Sequence, residues 1–120
     1  QGAWPEPLRT LDQTLPGDLP EGIVSAIRVG FRRLSPGAQR VLQVAAVLGA
    51  PLELDRATRA SGLTAEVAIE ALDELEWNRW LTLDGRGYGF TARIVREVIA
   101  RDQLTEGQRQ RILAAAGEVA

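Results

Sequence analysis

Apolar residues recur along the chain at helical spacing over most of its length. Ile23, Ile27, Phe31 and Leu34 stand at i, i+4, i+8 and i+11 and form one apolar stripe. Pro20, just before this stripe, suits the first turn of a helix. The next apolar segment, residues 41–48, is rich in small residues that allow close packing, and we expect it to form the most buried helix.

Capping residues indicate where the helices begin and end. Serine, threonine and aspartate accept hydrogen bonds from first-turn amides, and glycine ends helices in the left-handed conformation. We therefore expect N-caps at Ser35, Asp55, Thr64 and Thr91, a capping box of Thr105 with Gln108, and helix ends at Gly49 and Gly62. After Pro51, Leu52 and Leu54 are predicted to lie in a short extended stretch.

A short helix, the turn Gly62-Leu63-Thr64 and a longer helix form a helix-turn-helix pattern. The longer helix is predicted to turn Val67, Ala68, Ala71, Leu72 and Leu75 inward. After it, apolar residues alternate on both sides of Asp84-Gly85, which is a strong signal for a β-hairpin. The sequence thus predicts a mainly α fold: a winged helix-turn-helix with a two-stranded β-hairpin wing and extra flanking helices.

Proline density divides the chain into two parts. Pro5, Pro7 and Pro16 prevent regular helix in residues 1–19, which we interpret as an extended linker from an upstream module. Residues 20–120 are predicted to form the winged-helix domain. Its last helix is expected to continue into a following domain.

Composition argues against catalysis. The 120 residues contain no cysteine and no histidine, so the usual transition-metal ligands and the usual general base are missing. The glycines of residues 85–89 fit a hairpin turn better than a phosphate-binding loop. We expect no enzyme activity and no catalytic, cofactor or metal residues. The absence of cysteine, of a signal peptide and of a long apolar run favours a cytoplasmic protein without a membrane partner.

The second helix of the helix-turn-helix pattern has the wrong charge for DNA. Residues 64–78 contain five carboxylates and no basic residue, so a phosphate backbone would repel them. Candidates for a protein-interaction surface on this helix are Glu66, Glu70, Asp73, Glu74 and Trp77; a merely solvated helix face is the alternative. Trp80 is predicted to anchor the first hairpin strand in the core, and core packing is slightly favoured for Trp77 as well.

Basic residues lie elsewhere. Those that could attract a polyanion are on other predicted helices and would support backbone contacts at best: Arg28, Arg32, Arg33, Arg93, Arg96 and Arg101. If the chain were instead a DNA-binding transcription-factor domain, Arg79 and Arg86, which flank the acidic helix and the hairpin turn, would be the DNA-contacting candidates.

Three stretches carry a resemblance to a known family: RLSPGAQRVLQVAAVLG, AIEALDELEWNRWL and YGFTARIVREVI. In this order, within residues 19–120, they resemble the winged-helix domain that follows the nucleotide-binding module of bacterial STAND-type (AAA-like) signalling ATPases. Members include large LuxR-type transcription regulators and ATPases linked to adenylate cyclase domains. The resemblance implies a noncatalytic regulatory module whose partners are neighbouring domains of the same protein, with ADP or ATP bound elsewhere in the parent.

The resemblance has one departure. Many family members carry a histidine after the second hairpin strand, in an F-x-H-D-like pattern, that approaches the β-phosphate of the nucleotide. Here the pattern is Phe90-Thr91-Ala92-Arg93. Ala92 occupies the histidine position, which argues against direct nucleotide sensing there, and Arg93 becomes the candidate for a phosphate contact.

Overall fold

The computed structural model describes residues 20–49 and 51–117. Their helices are α1 (Glu21–Arg32), α2 (Pro36–Leu48), α3 (Leu54–Ser61), α4 (Ala65–Trp77), α5 (Arg93–Asp102) and α6 (Glu106–Ala115), and the strands β1 (Leu81–Asp84) and β2 (Gly87–Phe90) form an antiparallel hairpin between α4 and α5. This is the mainly α, winged-helix arrangement that the sequence predicted. The linker assigned to residues 1–19 lies outside the described residues. The last helix was expected to continue past the end of the chain, but α6 ends at Ala115, and Gly117 has φ 80°.

Three of the predicted N-caps are confirmed. The Ser35 hydroxyl accepts from the Ala38 amide at 3.2 Å at the start of α2, and Thr64 accepts from the Val67 amide at 3.2 Å at the start of α4. Thr105 and Gln108 form the reciprocal capping box that opens α6. Gly49 and Gly62 end α2 and α3 with positive φ, as expected.

Two predicted caps are wrong by one or two residues. Helix α3 begins after Glu53, which is extended, so Asp55 lies within the first turn, where its charge favours the helix dipole. Leu54 is accordingly helical, and of the predicted extended pair Leu52 alone is extended. Helix α5 begins after Ala92, whose backbone is extended. The amide of Thr91 donates to the carbonyl of Trp80 at 3.1 Å and extends the ladder of the hairpin by one bond.

The hairpin is fixed to the helical body by a third extended segment. Leu52 exchanges two backbone hydrogen bonds with Tyr88, of 2.8 and 2.9 Å, on the edge of β2. Gly87 has φ 141°, and a Cβ there would stand 2.8 Å from the carbonyl oxygen of Leu52. Glycine is needed at this position because the backbone of the Leu52 segment approaches so closely. In the turn, the carboxylate of Asp84 accepts from the amides of Arg86 and Gly87 at 2.8 and 3.3 Å.

Helix α2 forms the centre of the core, as predicted, and packs against α3, α4, α5 and α6. Its buried side chains are Ala38, Val41, Leu42, Val44, Ala45 and Ala46. Of the residues expected to face inward from α4, Val67 is the exception, with 41% of its surface exposed. It lies beside Gly37 at the beginning of α2, and that glycine has no side chain to cover it.

Candidate interaction site

The solvent side of α4 presents one continuous ridge. Glu66, Glu70, Asp73 and Trp77 stand at i, i+4, i+7 and i+11, and all four are exposed. With 100° between successive residues, these side chains fall within a narrow arc of the helix surface. Exposed Ile69 and Glu76 lie along one edge of this arc. We call the six residues together the outer face of α4.

Among the residues described, Trp77 is the most exposed large apolar side chain, at 85%. The slight preference for core packing at this residue is therefore wrong, whereas Trp80 is buried as predicted, at 3%. The signal was present in the sequence: Trp77 follows Asp73 by four residues and Glu66 by eleven, so helical geometry places its indole among the carboxylates.

The end of α4 explains why one tryptophan is buried and its neighbour is not. The amide of Trp80 donates to the carbonyl of Leu75 at 2.8 Å, and that of Arg79 donates to the carbonyl of Glu76 at 3.1 Å. This pair of bonds is a Schellman motif, and it brings buried Trp80 back towards buried Leu75. Arg79 occupies the left-handed position of the motif, with φ 64°, where glycine is usual. Trp77 is the last residue of α4, before the motif turns the chain, and its side chain stays in solvent.

The side chain of Glu74 is hydrogen-bonded within the fold. Its carboxylate accepts from the amide of Ser35 at 3.0 Å and from the Ser35 hydroxyl at 2.6 Å. The same hydroxyl caps α2, so Glu74 connects the last turn of α4 to the N-cap of α2. Among the five interaction candidates, Glu74 thus makes an intramolecular contact, and the remaining four belong to the outer face.

The carboxylates of the outer face influence the wing beside them. Burial raises the pKa of Tyr88 on β2, and the negative charges of Glu76 and Asp73 raise it further. A shallow, open concavity lies at this end of the helix. Its lining consists of Asp73, Glu74, Glu76, Trp77, Asn78 and Arg79. The acidic field therefore extends from α4 to the hairpin.

Several arginines serve the fold itself. The guanidinium of Arg28 pairs with the carboxylate of Asp102 at 2.9 Å and connects α1 to α5. Arg40 donates to the carbonyl of Ser61, and Arg96 to that of Ala46, both at 3.0 Å, so each satisfies a carbonyl at a helix C-terminus. These contacts reduce the basic surface that could attract a polyanion.

The remaining arginine candidates are exposed at the periphery, and three of them lie at the ends of α1 and α5: Arg32, Arg33 and Arg101. Arg86 is exposed at the hairpin turn, Arg79 is exposed at the hairpin base, and Arg93 is the exposed first residue of α5. The structure thus places Arg79 and Arg86 at opposite ends of the wing, and only Arg79 lines the concavity with the carboxylates at the end of α4. Ala92, beside Arg93, is 6% exposed and carries no polar side-chain atom.

Three other features, metal sites, unpartnered buried polar side-chain atoms and membrane-spanning helices, are absent from residues 20–49 and 51–117. They contain no group of three acidic side chains that could hold a metal ion, and no buried side-chain nitrogen or oxygen lacks a hydrogen-bond partner. None of the helices described combines the length and apolar character needed to cross a bilayer. No family model, curated protein or solved structure matches the chain.

Proposed function

We propose that this chain is a noncatalytic regulatory winged-helix module that acts through protein contacts, and that the outer face of α4 is its contact surface. The observation that carries this proposal is Trp77, a tryptophan 85% exposed on a helix of carboxylates. Tryptophan is enriched among the residues that dominate binding energy at protein interfaces. A helix that only faced solvent would gain nothing from such a large apolar side chain.

Electrostatics supports a protein partner over DNA. In a winged helix-turn-helix that reads DNA, the second helix of the motif enters the major groove. Here that helix is α4, and its outer face carries Glu66, Glu70, Asp73 and Glu76. Each carboxylate brought close to the phosphates would add repulsion, and the two DNA-contacting candidates, Arg79 and Arg86, lie beyond the helix at the wing.

The parent of this module is proposed to be a multidomain, cytoplasmic signalling ATPase or transcription regulator of the STAND type. This part rests on the resemblance of the three sequence stretches. The partner surface would then belong to a neighbouring domain of the same protein, in the first instance its nucleotide-binding module. ADP or ATP would bind in that module, and Arg93 is the candidate in this chain for a phosphate contact.

Arg93 is tested by nucleotide affinity. In the full-length protein, Arg93→Ala should weaken ADP binding, whereas Arg86→Ala, which removes an exposed arginine at the hairpin turn, should not. Equal affinities of wild type and Arg93→Ala would remove the phosphate contact and leave the protein-contact proposal intact.

DNA binding is the second candidate function, and the winged helix-turn-helix architecture itself is what favours it. Fluorescence anisotropy with labelled random duplex DNA at low salt separates the two. The protein-contact proposal expects almost no binding, and it expects weak binding to appear when Glu66 and Glu70 are both replaced by lysine. Appreciable, salt-sensitive binding by the wild-type chain that is lost on Arg79→Ala and Arg86→Ala would establish DNA binding instead.

A further inference from the structure

The central ridge of the outer face has the spacing of a helix-packing seam. Glu66, Glu70, Asp73 and Trp77 are separated by four, three and four residues, the repeat with which one helix lies along another. The ridge is about 16 Å long at 1.5 Å per residue. In an ordinary seam these positions are apolar, and here three of the four are carboxylates.

We infer that the outer face of α4 binds an amphipathic helix that presents arginines at the same four-three spacing. This inference rests on the proposed function and specifies the partner. The backbone amides and carbonyls along α4 are bonded within the helix, so the ridge offers a partner side chains only. A segment that satisfies its own backbone, which is a helix, is therefore the fitting occupant. Complementarity to the charge of the ridge requires that segment to be basic.

The geometry around Trp77 selects arginine over lysine. Asp73 precedes Trp77 by one helical turn, so their side chains are neighbours on one face, and both line the concavity at the end of α4. A guanidinium is planar and weakly hydrated, so it stacks on an indole while it donates to an adjacent carboxylate. The compact, strongly hydrated ammonium of lysine does this less well. Glu66 and Glu70 would pair with further arginines along the partner.

Three synthetic helical peptides of equal charge test the inference. One carries four arginines at the four-three-four spacing on an alanine and glutamine host, one carries lysines at the same positions, and one has the arginines distributed around the helix. Each is labelled and titrated with the chain at low and moderate salt, and binding is read by fluorescence anisotropy. The variants are Asp73→Asn and Trp77→Leu, with Glu21→Gln on α1 as the matched loss of an exposed carboxylate.

The seam of arginines should bind tightest, by about two- to fivefold over lysine. Asp73→Asn and Trp77→Leu should each weaken it by about two- to fivefold and reduce the difference between arginine and lysine, whereas Glu21→Gln should have no effect. The inferred partner would be excluded if all three peptides bound equally, or if Glu21→Gln weakened binding as much as Asp73→Asn does. If Trp77→Leu still weakened binding in that case, the proposed contact surface would survive without the inferred partner. If neither arginine peptide bound the chain, the inferred arginine-bearing partner would also be excluded. The proposed function is tested separately, by the anisotropy measurement with duplex DNA.

Discussion

Loss of the carboxylate of Glu74 should destabilise the fold, in contrast to loss of its neighbours on the same helix. Glu74→Ala leaves the amide and hydroxyl of Ser35 without their acceptor. Hydrogen bonds to charged groups contribute about 1.5–3 kcal/mol, but this site is open to solvent, so water replaces part of what the lost bonds contributed. We therefore expect the free energy of unfolding to fall by about 1 kcal/mol.

Ser35 and Glu74 should also be energetically coupled. Ser35→Ala removes the cap of α2, at a cost of about 1 kcal/mol, and with it the 2.6 Å bond to Glu74. The double variant loses that bond only once, so its destabilisation should fall short of the sum of the two single changes. The expected difference is about 0.5–1 kcal/mol.

Urea unfolding of the four proteins, followed by far-UV circular dichroism, measures this coupling. Glu70→Ala is the control, because Glu70 is exposed on the same helix and its loss only relieves repulsion between carboxylates. Additive effects within about 0.3 kcal/mol, or equal stability of Glu74→Ala and Glu70→Ala, would refute the contact between Glu74 and Ser35. Glu74 would then rejoin the candidates for partner binding.

Three further predictions concern the hairpin and its junction with α4, each measured by chemical or thermal unfolding. Gly87→Ala should lower the free energy of unfolding by about 1–3 kcal/mol, because Gly87 has φ 141° and a Cβ there would press on the backbone of Leu52. The control is Gly85→Ala, which has open space around it and should change stability by less than about 0.5 kcal/mol. Equal effects of the two substitutions would contradict the close approach of Leu52 to Gly87. Arg79→Gly should be more stable than Arg79→Ala by about 1 kcal/mol, since glycine alone adopts φ 64° without strain; a less stable glycine variant would show that the left-handed turn is not a strained one. The amide of Arg86 lowers the pKa of Asp84 below its ordinary 3.8, so the carboxylate stabilises the fold above that pH and loses this effect as the pH falls through the folded-state pKa. Asp84→Ala should therefore be less stable than wild type at pH 7 and approach it at acidic pH, whereas a difference that stays constant with pH would exclude the charge as its source.

Local signals account for the elements that the sequence predicted correctly. A cap such as Ser35 or Thr64 acts on amides three residues away, and the register of a hairpin follows from its turn and its alternation. Burial of Leu72 and Leu75 likewise follows from their spacing along one helix. These features need no knowledge of distant parts of the chain.

Contacts between distant residues account for the rest. Glu74 and Ser35 are 39 residues apart, and nothing in the local sequence of either indicates that they meet. The same is true of Leu52 and Tyr88, whose pairing adds a third extended segment to the hairpin and requires glycine at Gly87. Thr91 has the side chain of an N-cap, but α5 begins one residue later, after extended Ala92.

The outer face of α4 lies between these two cases. Composition and spacing predicted its carboxylates and their charge, and the position of Trp77 among them follows from helical geometry. The sequence alone left open whether the indole turned inward. The structure shows that it does not, with Trp77 85% exposed, while the Schellman motif returns Trp80 towards Leu75.

Photo-crosslinking from position 77 tests the central claim most directly. In the proposed multidomain parent, a benzophenone amino acid replaces Trp77, and a second variant carries it at Arg86 on the hairpin turn as a control for general exposure. After irradiation, mass spectrometry locates the crosslinked peptides. We expect position 77 to react with a protein segment outside residues 20–117, and to do so more efficiently than position 86. Crosslinks from position 77 to duplex DNA, or none beyond those of the control, would contradict it.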